Sequence, residues 1–221
     1  MRRVLPLLAL FALAAAAPAV EAAKPPRPTV TIAATPTTVV FGRAVTLSGT
    51  VTGDKQVSGQ TVTVQADAFP FGDGYVDTAT ATTDATGAWH ATTTPARLTR
   101  YRAVAQHTSP PARSATDATV AVRLRVTVHL SDATPAAGTR VRFFGRAYPA
   151  HDGAPVAIQR RSSTGRWVTV ARTTLRDDGT ARSRYSRRVR IRHSGTYRVR
   201  ASSGDQDHLR GYSRKRRITV H

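Results

Sequence analysis

Cysteine is absent from the 221 residues. That one absence excludes disulfide frameworks, thiolate metal sites, thiol nucleophiles and a lipid-modified N-terminal cysteine. Glutamate is almost missing, with Glu21 alone, and lysine occurs only at Lys24, Lys55 and Lys215. A chain so poor in Glu and Lys has little with which to build exposed helix, and its many Thr and Val favour strands. Negative charge is scarce as well: 13 Asp plus Glu stand against 33 Lys plus Arg, a net of +20. No helical periodicity runs through the chain after its first segment, so the expected class is all-β.

Only one long hydrophobic run is present. Met1, Arg2 and Arg3 precede an apolar stretch of 14 residues, Val4 to Ala17, followed by small residues. This is a signal-peptide pattern, and the run is shorter than the roughly 20 residues of a membrane-spanning helix. Cleavage fits after Ala19 or after Ala22, and the leader is taken as 1–22. The mature chain is then expected to carry no transmembrane segment. It is expected to be secreted, lying outside the cell or held noncovalently at the envelope.

The rest of the chain repeats itself. Val45, Leu47, Gly49 and Val51 match Val141, Phe143, Gly145 and Ala147 at an offset of 96. Gly59, Val62, Val64 and Gln65 match Gly153, Val156, Ile158 and Gln159 at 94, Gly87 matches Gly179 at 92, and Tyr101 and Ala103 match Tyr197 and Val199 at 96. Landmarks in unbroken order with drifting offsets indicate a duplicated unit whose loops vary. The boundary is expected near Val122 and Arg123, giving units at 23–122 and 123–221. An alternating run from Thr119 to Val128 crosses it without Gly or Pro, which implies a stiff junction. Each copy reads as about seven short strands, with turns at Gly53, Gly74, Gly87, Gly153, Gly165 and Gly179. In copy two, Val141, Phe143 and Ala147 alternate with Arg140, Arg142 and Arg146, so one face is core and the other wet.

In these residues the chain resembles the tandem immunoglobulin-like domains of secreted bacterial proteins, above all those of high-GC actinobacteria. Copy two carries the resemblance most fully: Val141 to Gly145, Val156 to Arg161, Gly165 to Val170, Asp178 with Gly179, Gly195 to Ala201, and Gly211 to Ser213. The resemblance implies two consecutive antiparallel β-sandwiches. It places Tyr101 and Tyr197 in the tyrosine-corner position, and Ala103 and Val199 where such domains carry a core Cys. It also implies that Trp167 is a core aromatic, with no equivalent in copy one; Trp89, alternating inward with Ala91, is expected in the core too.

No catalytic constellation emerges. The seven histidines form no HExxH or His-x-His pattern, and no Gly-x-Ser-x-Gly elbow occurs. The chain is read as a non-enzyme with no cofactor and no metal. Asp73 with Asp77, Asp177 with Asp178, and Asp205 with Asp207 are read as turn formers, since none matches a calcium loop.

Charge is the strongest functional signal. Between Leu124 and His221 stand 22 cations and 6 Asp, a net of +16, against +3 between Lys24 and Arg123. Arg140, Arg142, Arg146, Arg182 and Arg184 are assigned to the outer face of one sheet. Arg198, Arg200, Arg214, Lys215, Arg216 and Arg217 fall on or beside the other. Arg187, Arg188, Arg190 and Arg192 are placed in a loop between them. These are the candidate polyanion-binding residues, because guanidinium groups make bidentate contacts to phosphate, sulfate and carboxylate. The expected partner is an anionic cell-wall polymer or another extracellular polyanion. Two alternatives stand beside it: a structural or protein-binding module, and an accessory carbohydrate-binding module needing a row of exposed aromatics. Nucleic acid is not expected as the physiological partner, since the leader directs the chain outside and aromatics are few.

Overall fold

The computed structural model describes residues 28–106, 111–179 and 181–221; the expected leader over 1–22 lies outside them. All regular elements of the described residues are strands. The first half holds β1 (Thr29–Val30), β2 (Ala33–Thr35), β3 (Thr38–Val40), β4 (Val45–Thr52), β5 (Thr61–Ala68), β6 (Val76–Thr82), β7 (Ala88–Thr93), β8 (Thr99–Ala105), β9 (Ala112–Arg113) and β10 (Ala118–Arg123). The second holds β11 (Arg125–Val126), β12 (His129–Leu130), β13 (Arg140–Tyr148), β14 (Pro155–Arg161), β15 (Trp167–Thr174), β16 (Arg176–Asp177), β17 (Ser183–Arg190), β18 (Gly195–Ala201), β19 (Gly211–Tyr212) and β20 (Arg216–Ile218).

In each half two sheets enclose one core. In the first, β1, β2 and β7 pair with β4, opposite a sheet ordered β3-β10-β8-β5-β6. In the second, β11 and β12 line β13, followed by β17 and β16, opposite a sheet in which β14 joins β15 to β18 and the last segments, β19 and β20, pair with β18. These are two consecutive immunoglobulin-like sandwiches. Between these strands pairing is antiparallel except for β3 with β10, where the opening segment of the first sandwich crosses to run parallel to its last strand; two isolated bridges, Val30 to Ser114 and Arg123 to Leu209, are also parallel. The cores are what the alternation dictates. Leu47, Val62, Val64, Ala103 and Val120 are fully buried in one, and Val141, Phe143, Ile158, Val199 and Ile218 in the other. Each such Val, Leu, Ile or Phe side chain contributes about 1.5–3 kcal/mol by leaving water.

The repeat landmarks Gly49 and Gly145 acquire a physical reason. The first strand of each sandwich breaks at Thr31 or Thr127, whose backbone bends across the glycine. A Cβ on Gly49 would sit 1.9 Å from the Thr31 carbonyl oxygen, and one on Gly145 would sit 2.3 Å from that of Thr127. The threonine hydroxyls stitch the bend, accepting from the backbone N–H of Thr50 at 2.9 Å and of Arg146 at 2.9 Å. In the second sandwich the Tyr185 hydroxyl also donates to the Thr127 carbonyl at 2.7 Å, and burial pushes its pKa up.

Tyr101 and Tyr197 are both buried, as the tyrosine-corner reading requires, and the Tyr197 hydroxyl donates back to the His193 carbonyl at 3.3 Å. Trp89 is in the core, but Trp167 is not. Register explains the difference. Ile158 pairs with Ala171 and the next residue, Gln159, pairs with Thr169, so β15 carries one extra residue at Val170. A bulge of this kind reverses the alternation beyond it. Ala171 packs on the core, and Trp167 emerges on the outer face. Copy one has the same bulge, between Val64 and Gln65, and Tyr75 occupies the corresponding place.

The halves meet through backbone hydrogen bonds. Val122 packs in the first core and Leu124 in the second. Between them, Leu209 N–H donates to Val122 O at 2.8 Å, Leu124 N–H to Leu209 O at 3.0 Å, and Leu98 N–H to Asp207 O at 2.8 Å. The junction therefore has its own polar contacts in addition to the continuous run through Val122 and Leu124.

Candidate functional site: an arginine-lined sheet face

The outer face of the β13–β17 sheet concentrates the charge. Register sets Arg140 opposite Arg190, Arg142 opposite Arg188, and Arg146 opposite Arg184, with Arg176 of β16 opposite Arg184 on its other side. Like charges directly opposite one another across a sheet are destabilising. Here three successive arginine pairs are interrupted only by Phe144 opposite Ser186. Among the described residues the one carboxylate paired with arginine is Asp178, whose Oδ2 lies 2.7 Å from Arg146 Nε and 2.9 Å from Arg182 Nε. Hydrogen bonds from Arg146 and then Arg182 hold the Asp178 carboxyl below its ordinary range, against an opposing desolvation.

Between these groups lies a hollow of about 460 Å³ lined by Arg142, Arg146, Arg176 and Arg184 with His129, Phe144, Tyr185 and Ser186. Its floor is aromatic: His129 stacks on Phe144 at 5.5 Å, and the Arg142 guanidinium lies 4.4 Å from the Phe144 ring centroid. The site thus offers several cationic forks around an apolar floor, the chemistry for holding multiple anionic groups of one chain.

Most assigned arginines are where the alternation puts them, and some are not. Arg140, Arg142, Arg146 and Arg184 share this face as expected, whereas Arg182 precedes the strand and is held by Asp178. Arg187, Arg188 and Arg190 belong to strand β17 rather than to a loop. The three arginines of Ser186–Arg190 obscure the alternation, yet Ser183, Tyr185 and Val189 are buried and anchor the strand. Arg187 has core parity but is exposed, its long stem carrying the charge to water. Arg192 follows the strand and lines a second hollow of about 200 Å³ with Arg190. The sequence reading missed Arg176 and Arg125; the latter stacks its guanidinium 4.1 Å from the Tyr148 ring. Both sit in two-residue strands, too short to show a period.

The opposite sheet is different in kind. Arg198 lies between two rings, 4.1 Å from the Trp167 centroid and 4.3 Å from that of Tyr212, while its Nε donates to Gln159 Oε1 at 2.9 Å. Partial burial lowers its pKa. The pattern repeats in the first sandwich, where Arg102 lies 3.9 Å from the Tyr75 ring and donates to Gln65 at 2.7 Å. This is a structural motif of the duplicated unit, and Arg198 is committed to it. Arg200 is on the same face, opposite Tyr212. Arg216 and Arg217 lie in the last strand, and Arg214 and Lys215 in the segment before it. These cations do not join the β13–β17 cluster.

The fold defines a tandem of immunoglobulin-like sandwiches. No protein-family model matches the chain, and no curated protein does. Among solved structures, the tetra-tandem repeat from the extending region of a large adhesion protein is 16% identical, covering 87% of this chain and 49% of that one, with a TM-score of 0.40. The Yersinia pseudotuberculosis adhesin InvE is 16% identical over 86% of this chain and 58% of that one, TM-score 0.36. The Escherichia coli adhesin FdeC is 14% identical over 87% and 64%, TM-score 0.38. The chain thus spans about half to two thirds of the length of these proteins. Likeness at this level does not separate functions, for red sea bream transglutaminase is similar at 12% identity and a TM-score of 0.39. Among the described residues, no helix is long and apolar enough to cross a membrane.

Proposed function

We propose that the chain is an extracellular, non-catalytic tandem, with a leader at 1–22 and units at 23–122 and 123–221. In this reading the second sandwich docks on an anionic polymer of the cell envelope or its surroundings. What carries the reading is the register of arginine against arginine across β13 and β17, with Asp178 as the sole paired counter-charge among the described residues. An anionic chain laid along the strands supplies the missing negative charge and removes the cross-strand repulsion. The carbohydrate reading loses ground, because the half-exposed Trp167 and Tyr212 already have Arg198 against their faces.

The test is binding of the purified chain and of an Arg142→Ser/Arg188→Ser variant to a teichoic-type polyphosphate, heparin and DNA, from about 50 to about 300 mM salt. Retention of one polymer at the upper limit is expected, with the variant losing about two units of the log–log salt slope. Equal binding of all three polymers, lost at moderate salt and unchanged in the variant, would instead leave a structural or protein-binding module whose charge sets only solubility.

A further inference from the structure

Four side chains that play no part in the arginine face converge where the two sandwiches meet. His151 lies between β13 and β14, and Asp205, Asp207 and His208 lie between β18 and β19. One ligand atom from each lies within 4.8 Å of all the others. The histidines are deeply enclosed, with 8% and 3% of their side chains exposed.

Hydrogen bonding determines which ring nitrogens are free. His151 Nδ1 is 3.1 Å from the Pro149 carbonyl oxygen, and His208 Nε2 is 2.8 Å from that of Ala96. A carbonyl only accepts, so both of these nitrogens carry hydrogen. A neutral imidazole then has a bare lone pair on its other nitrogen. Those nitrogens face carboxylates: His151 Nε2 lies 3.3 Å from Asp205 Oδ2 and 3.6 Å from Asp207 Oδ1, and His208 Nδ1 lies 2.7 Å from Asp207 Oδ1. Lone pairs pointed at anionic oxygens in a largely enclosed site call for a proton or a metal cation between them. Two imidazolium protons would serve, but the rings touch edge to face with centroids 4.9 Å apart, which sets two buried like charges in contact. A single divalent ion meets all four groups and neutralises both carboxylates.

We propose that His151 Nε2, His208 Nδ1, Asp205 and Asp207 form a binding site for a divalent transition metal of the zinc class. Imidazole with carboxylate suits zinc and its neighbours, whereas calcium takes oxygen ligands. Ligands about 2.0–2.2 Å from a tetrahedral ion stand about 3.3–3.6 Å apart, close to the two His151 separations. The His208–Asp207 contact must open by about 0.6 Å to match. Each histidine already has a backbone carbonyl on its far nitrogen, the arrangement that fixes tautomer and ring orientation in metal sites. The support is built in beneath: His151 N–H donates to Ser183 Oγ at 2.8 Å, and Ser183 Oγ donates to Asp152 at 2.6 Å. Because His208 also bonds Ala96 O, and Asp207 O accepts from Leu98, the ion would hold the loop that joins the two sandwiches.

The experiment is titration of the purified full chain with Zn²⁺ by calorimetry and with Co²⁺ by visible absorption. The expected result is one ion per chain, a tetrahedral cobalt spectrum, and a melting midpoint that climbs with free Zn²⁺. His151→Gln should weaken binding more than about 100-fold. Asp205→Asn, at a side chain 46% exposed, keeps the fold and should weaken it at least about 10-fold. Failure of the folded wild type to bind either ion overturns the site and assigns the charge to protons. So does binding that both variants retain at full affinity, which would place the ion on other histidines.

Discussion

At the residue scale, the repeat is written in a few side chains whose absence or size is dictated by a neighbour. Gly145 is required because the Thr127 carbonyl occupies the place of its Cβ. Gly145→Ala should lower stability by about 3 kcal/mol, read from the shift of the urea midpoint, since the obstacle is backbone and cannot swing away. The two tryptophans should part company. Trp89, 2% exposed, should cost at least about 3 kcal/mol on replacement by Ala. Trp167, on the outer face against Arg198, should cost about 1 kcal/mol. Equal losses in the same denaturation assay would return Trp167 to a core role. The sequence pattern could not have told them apart, because the bulge at Val170 that turns Trp167 outward is a matter of pairing with β14.

At the scale of elements, β13 and β17 are stable because their inner residues are buried, in spite of what their outer residues do to one another. Asp178 clasps Arg146 and Arg182 at one end of that face. Its pKa is depressed in the folded chain, so the clasp's stabilisation is fully present above the ordinary carboxylate pKa of about 4 and is lost as pH falls through the lower folded value. Melting curves of wild type and Asp178→Asn should therefore differ at neutral pH and converge once the pH has fallen through the lowered pKa of Asp178. A gap that stays constant with pH would mean that the carboxylate's charge is not what holds the clasp. Much of this face could be read from alternation: Arg140, Arg142, Arg146 and Arg184 are where period two puts them. The continuation through Arg188 and Arg190 was hidden, because a dense run of arginine looks like a loop until Tyr185 and Val189 are seen to be buried.

On the scale of the whole molecule, the chain passes from one core to the other within two residues, Val122 to Leu124, and the loop before β19 ties back across the junction. Such a pair should tumble as one body. NMR relaxation of the two halves should fit a single diffusion tensor, and insertion of two glycines between Arg123 and Leu124 should split it. Separate tensors in the unaltered chain would show that the junction bonds do not hold in solution.

What the sequence determined by itself was the strand class, the duplication and the asymmetry of charge. All of these depend on local alternation or on composition, which the chain carries without folding. What the tertiary structure decided was register and convergence. It set arginine opposite arginine, turned Trp167 outward, put Tyr75 in the corresponding place in copy one, and brought His151 to Asp205, Asp207 and His208 from more than 50 positions away. No spacing rule encodes that meeting, because the loop before β14 and the loop after β18 become neighbours only when those two strands pair, with Val156 opposite Ala201.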